Sequence, residues 1–102
     1  MGVNRASFNF INSREVTRWV RPGSLVLQYK IGHTLLFING QRTCRVRITA
    51  IREYRSPESM LETEGFEEIL KSFGSEEKMT NELRDMFHVK SLGIIVLEFE
   101  RT

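Results

Sequence analysis

Apolar and polar positions along the chain fall into short periodic runs separated by glycine, proline and asparagine. Residues 34–38 are apolar and partly β-branched, which predicts a buried strand. Asn39-Gly40 follows, the pair that tight hairpins favour because both central positions need positive φ. Beyond it Cys44, Val46, Ile48 and Ala50 share one side, and Thr43, Arg45, Arg47 and Thr49 share the other. That period of two predicts a long strand with one apolar and one basic face. Ile51 breaks the alternation, which predicts a bulge or barrel bend near residues 50–52. After Gly93, the run Ile94-Ile95-Val96-Leu97-Glu98-Phe99-Glu100 begins wholly apolar and ends alternating, as a central strand would.

Other segments are less periodic. Ser7-Phe8-Asn9-Phe10-Ile11 alternates weakly and predicts a short first strand, with Asn12 and Ser13 as a helix cap or turn. Residues 14–20 suit either one helical turn or an extended piece. Arg21-Pro22-Gly23-Ser24 predicts a turn, residues 25–29 a strand, and Gly32 a break before the next strand. Ser56 before Pro57, with Glu58 and Glu62 after, predicts a capped helix start. Met60, Leu61, Phe66, Ile69 and Leu70 would face the core, Gly65 would split this helix, and Phe73-Gly74-Ser75 would end it. Thr80 would cap a second helix from Asn81 to about Phe87, with Leu83, Met86 and Phe87 as its apolar stripe. The sum is a single α+β domain over residues 1–102, a curled sheet with helices inserted between its late strands.

The 102 residues suffice for one core. The formal charge is only +2, with a pI near 9.0, but its distribution is uneven. Residues 1–55 hold ten Arg/Lys against two acids, and residues 56–102 hold five against eleven. Either the molecule is dipolar with one anion-attracting face, or its halves neutralise each other across an interface. One cysteine excludes an internal disulfide, and its place in the alternating strand reads as core packing. His33, His88 and Cys44 are too few and too scattered to predict a metal site, and no cofactor is expected. No apolar run spans a bilayer and no signal-peptide core is visible, so the expectation is a soluble intracellular domain, nucleus or cytoplasm unresolved.

Several motifs, in order, resemble the ASCH family (activating-signal-cointegrator homology) of the PUA-like superfamily. They are a polar start at Ser13-Arg14, Gly32 before an apolar strand, Val46-x-Ile48-Thr49-x-Ile51, Tyr54-x-Ser56-x-x-x-Met60-Leu61-x-x-Glu64-Gly65, and Gly93 through Val96-Leu97-Glu98-Phe99. The resemblance spans roughly residues 10 to 100. It implies a small mixed β-barrel with two or three flanking helices and a cleft between them. Relatives commonly bind RNA or modified bases, so RNA binding is the expectation it carries. One bacterial branch instead hydrolyses the amide of N4-acetylcytidine with a lysine, a threonine and a glutamate, and some small members are ribonucleases. Transferred here, the lysine falls near Arg14, the threonine on Thr17 and the glutamate nearest Glu64. Arginine does not lose its proton, so Arg14 would clamp an anion rather than activate Thr17. His33 stands where the family usually has aspartate.

The leading expectation is therefore a nucleic-acid-binding module. Arg14, Arg18 and Arg21 would line a cleft and contact phosphate, or form a solvated face. Arg45 and Arg47 would track a backbone, or pair with the acidic helices; Arg52 and Arg55 sit near the strand end, where barrels often expose ligand-facing groups. Trp19 would stack on a base or plug the core, and Tyr54 would seal the strand–helix corner. Glu64 would accept from a base amine or act as a base, or be one more solvated helix charge. Thr17 and Glu64 are the catalytic candidates of the hydrolase alternative. His33 reads as a turn residue and His88 as a partner of its helix dipole. The third class is a protein-interaction domain whose acidic helices meet a basic partner.

Overall fold

The computed structural model describes residues 2–88 and 93–102. Its elements run α1 (Arg5–Asn12), β1 (Arg18–Pro22), a 3-10 segment (Gly23–Gln28), β2 (Thr34–Asn39), β3 (Arg42–Tyr54), α2 (Pro57–Glu64), α3 (Phe66–Phe73), α4 (Glu76–His88) and β4 (Ile94–Arg101). The four strands form one antiparallel sheet in the order β1-β4-β3-β2, with β4 central as its apolar run predicts. The sheet curls into a half-barrel. Its two edge strands meet across the interior, where Trp19 of β1 sets its ring edge-on to Phe37 of β2 at 5.0 Å.

A register shift between Ile48 and Ala50 decides which side chains the two faces of the sheet receive. Before it, Cys44, Val46 and Ile48 point into the barrel. After it, Ile51 takes the interior side, while Arg52 and Tyr54 turn outward toward the helices. A bulge is the only way a strand changes parity without breaking its ladder. It lies at the edge of the stretch where Ile51 interrupts the alternation. On β1 the same division holds: Val20 packs with the helix layer and Trp19 with the interior.

Residues 5–12 are a helix, not the short strand their alternation predicts. Asn4 caps it, accepting from Ser7 N at 2.8 Å and donating to Phe73 O at 2.8 Å. Phe8 and Ile11, three apart, bury together against Phe37, Cys44, Val46 and Phe99, so α1 stoppers one end of the barrel. Burying two such side chains contributes about 1.5–3 kcal/mol each, which outweighs a weak β pattern. Residues 23–28 likewise form a 3-10 segment rather than a strand, and Leu27 on it is 90% exposed. The helix layer follows expectation more closely. Ser56 caps α2 with Pro57 in its first turn, Gly65 splits α2 from α3, and Gly74 ends α3. Of the five expected core positions Met60 and Ile69 are buried, Leu61 and Leu70 half-buried, and Phe66 exposed. Helix α4 begins at Glu76, earlier than Thr80 suggests, because the Ser75 hydroxyl accepts from Lys78 N at 3.2 Å. The side chains of Phe87 and His88 lie outside the described residues, as does the dipole role expected of His88. Among the described residues three helices thus flank the sheet, and a fourth closes the barrel.

Candidate functional site

The outer face of the sheet changes character along β4. Ile94 and Val96 lie under the helices, then Glu98 and Glu100 emerge. Register places Arg18 opposite Glu98 and Arg47 opposite Glu100, and the bulge brings Arg52 onto the same face. The last turn of α2 drops Glu64 into this ladder, where its side chain keeps only 2% exposure. Arg52 grips it with two hydrogen bonds, Nε to Oε2 at 2.6 Å and Nη2 to Oε1 at 2.8 Å, and reaches Glu98 at 3.0 Å. Tyr54 donates its hydroxyl to Glu64 Oε2. Arg18 Nε stands 2.8 Å from Glu64 Oε1 as an ion pair, without aiming its N–H there, and Nη1 reaches Glu68 at 3.4 Å.

Burial alone pushes the Glu64 carboxyl up, but the Arg52 and Tyr54 hydrogen bonds and the Arg52 and Arg18 charges outweigh it and hold the pKa below the ordinary value. Arg52 is held further into its charged form, chiefly by its hydrogen bond to Glu64. The Tyr54 hydroxyl is pushed up, first by burial and then by donating to Glu64. A carboxylate so stabilised is a poor proton acceptor, and this cluster locks α2 to the sheet. Losing only the Tyr54 hydroxyl, by Tyr54→Phe, is expected to cost about 1.5 kcal/mol in chemical denaturation, as for a hydrogen bond to a charged partner.

Two hollows flank α1. The larger, about 560 Å³, lies where the barrel's open seam meets the helices. Trp19 and Arg21 of β1, Asn39 at the hairpin, Ser7 of α1, Phe73, and Lys78 and Glu82 of α4 line it. The smaller, about 270 Å³, is lined by Ile11, Val16 and Phe99, with Arg14, Thr17, Glu100 and Arg101. Around α1 itself gather four arginines. Arg5 is on it, Arg14 follows it, Arg42 donates to Asn9 at 3.0 Å while covering the Phe8 ring at 4.6 Å, and Arg101 donates to the Asn12 carbonyl at 2.6 Å. None of the four pairs with an acid among the described residues.

The residues expected to converge thus occupy three places. Arg14 and Thr17 share the small hollow, Trp19 and Arg21 the large one, while Arg18, Arg52 and Glu64 are knit together between sheet and helices. Arg47 is paired with Glu100, and Arg45 is exposed without an ion pair among the described residues. Three arginines, Arg18, Arg47 and Arg52, are neutralised by acids of α2, α3 and β4, so the halves of the chain do cancel charge across their contact in part. Periodicity gives no signal for Ser7, Lys78 or the Arg5–Arg42–Arg101 group. A helical reading of residues 5–12 would bring out Ser7 alone, since it puts Ser7 beside Phe8 on the inward face.

No protein-family model and no curated protein matches the chain. Solved structures do. The crystal structure of hypothetical protein PH0355 superposes with a TM-score of 0.77 at 26% identity, over 100% of this chain and 96% of that one. The solution structure of PF0455 from Pyrococcus furiosus gives a TM-score of 0.72 at 30% identity, over 99% of this chain and 94% of that one. The chain belongs to the same fold family as these two small proteins.

Proposed function

We propose that this protein is a nucleic-acid-binding module for single-stranded RNA, of the ASCH type within the PUA-like superfamily. The observation that carries the reading is the collar of Arg5, Arg14, Arg42 and Arg101 around α1, set between two hollows and unopposed by ion pairs among the described residues. Guanidiniums held apart by a rigid helix suit consecutive phosphates, because they neutralise charge without needing a fixed base sequence. A strand crossing α1 has Trp19 within the adjoining hollow. The hydrolase reading requires Thr17 and Glu64 in one cleft, whereas Thr17 lines the small hollow and Glu64 is saturated by Arg52, Arg18 and Tyr54.

The test is a fluorescence-anisotropy titration of a short mixed-sequence RNA at several salt concentrations. Reversing Arg5 and Arg14 together (R5E/R14E) is expected to weaken binding at least tenfold at low salt. The logarithmic salt slope should fall by about 0.7 for each phosphate that is no longer neutralised. Both side chains are exposed, so the fold should melt as wild type does. An unchanged slope in the double variant, or no binding by wild type at low salt, would defeat the assignment.

A further inference from the structure

The end of the barrel opposite α1 is capped by the 3-10 segment and the turn after it. Val26 and Tyr29 face inward there and pack on Ile48, Ile95 and Leu97. Backbone bonds pin the cap at both ends. Gly23 N donates to Gly93 O at 2.9 Å, Gly32 N to Ile48 O at 2.8 Å, and Ile48 N to His33 O at 2.9 Å. The Tyr29 hydroxyl accepts from Arg21 Nε at 3.2 Å. Leu27 and Ile31 belong to the same cap but are 90% and 68% exposed, the most exposed large apolar side chains among the described residues. Four residues apart, their Cα atoms are separated by at most about 14 Å. Single exposed aliphatics are ordinary, whereas two on one pinned cap form a patch that the fold does not require.

The charge beside them has one sign. The chain carries no acid between Glu15 and Glu53, so neither the cap nor β2 contributes a negative group. Lys30 is exposed between the two aliphatics. Neither it nor Arg21 has an ion pair among the described residues.

This combination selects among partners. A second copy docked about a two-fold axis would set Lys30 against Lys30, and like charges oppose that association. A stable protein interface removes about 800 Å² from each partner, well beyond what two aliphatic side chains supply. A bilayer sets no such threshold. Its acyl chains accommodate any protruding shape, each inserted side chain adds its own transfer free energy, and an anionic headgroup layer attracts the cations. The Lys30 stem lies along apolar surface while its ammonium stays at headgroup level.

We propose that this end of the barrel docks on an anionic membrane surface. Leu27 and Ile31 enter the acyl boundary, Lys30 meets the headgroups, and Arg21 adds to the local positive potential. The chain lies on the bilayer without spanning it, and α1, at the other end of the barrel, faces away. Nothing in this rests on the nucleic-acid reading above.

The test is flotation of the whole chain, at low salt and millimolar lipid, with two kinds of vesicle. One is phosphatidylcholine alone, and the other contains about one-third phosphatidylserine. Wild type is expected to float with the anionic vesicles and to bind the neutral ones at least tenfold more weakly. Replacing Leu27 and Ile31 together by serine (L27S/I31S) should weaken binding to the anionic vesicles at least tenfold. Lys30→Gln should weaken it roughly fivefold and flatten its salt dependence. All three positions are exposed, so both variants should melt as wild type does, and either carries the test should the other not fold. R5E/R14E, altered at the other end of the barrel, should keep most of the vesicle binding. No flotation of wild type at low salt overturns the proposal, as does equal binding to both vesicles. So does undiminished flotation of L27S/I31S, or loss of flotation in R5E/R14E alone, which would make the α1 arginines the general anion site. A wild-type dimer in sedimentation that L27S/I31S abolishes, without flotation, would overturn it in favour of a second copy.

Discussion

Replacing Glu64 by alanine is expected to lower the unfolding free energy by about 3 kcal/mol. The carboxylate is the shared partner of Arg52, Arg18 and Tyr54, and its removal leaves two guanidiniums facing each other across a desolvated corner. A fully buried pair would lose more; here the arginines keep 26% and 34% exposure, so water recovers part of the deficit. For a domain of this length the midpoint of thermal unfolding should drop by roughly 12 °C or more. The pH dependence has a definite sign. The folded carboxyl titrates below the ordinary value of 4.5, so its contribution is present above that value and is lost as pH falls through the lower folded value. Urea titrations of wild type and Glu64→Gln should therefore differ widely at neutral pH and converge as the solution is acidified below pH 4.5. A gap that persists unchanged into strong acid would mean the carboxylate is not what holds this corner.

Gly93→Ala should be nearly as costly, for a different reason. Gly93 precedes β4 at φ +73, and a Cβ there would stand 2.3 Å from the Tyr54 carbonyl oxygen. Its own carbonyl accepts from Gly23 N at 2.9 Å, which pins it from the other side. The left-handed backbone costs a non-glycine residue about 1–2 kcal/mol, and pressing a methyl into fixed backbone adds about 1–3 kcal/mol. Gly32 supplies the comparison. It has φ +93 but open space around the added carbon, so Gly32→Ala should show the backbone cost alone. Thermal melts of the two variants separate the contributions, and equal losses would show that the Tyr54 contact does not matter.

β2, β3 and β4 were legible because each carries its own pattern; β1 was not, since residues 14–20 suit a helical turn as well and Arg21-Pro22, which ends the strand, reads as a turn. Residues 34–38, the alternation from Thr43 and the apolar run from Ile94 sit where the periodicity puts them, whereas the hairpin turns one residue later than Asn39-Gly40 suggests, with Asn39 paired to Arg42 and Gly40, at φ +62, and Gln41 forming the loop. Residues 5–12 mislead because Phe8 and Phe10 alternate while Phe8 and Ile11 also satisfy a helical spacing. Asn4 and the barrel opening decide between the two, and both act through tertiary contact. Residues 25–29 do not pack as a strand, and the polar run at 75–78 gives no hint that α4 begins within it. Glu64 is one of several neighbouring glutamates in the sequence, its partners come from β1 and β3, and Arg52 reaches it only through a bulge visible as one misplaced isoleucine. Charge distribution foretells a basic side but not which arginines are neutralised by neighbouring glutamates.

The central place of β4 bears on how the chain reaches its native state. β1 finds its ladder partner only in β4, after two other strands and three helices have intervened. Closing so long a segment is slow, since most of the entropy is lost before the pairing can reward it. A nascent chain therefore carries β1 unpaired until β4 is synthesised, and no amino-terminal fragment ending before Ile94 contains a complete sheet.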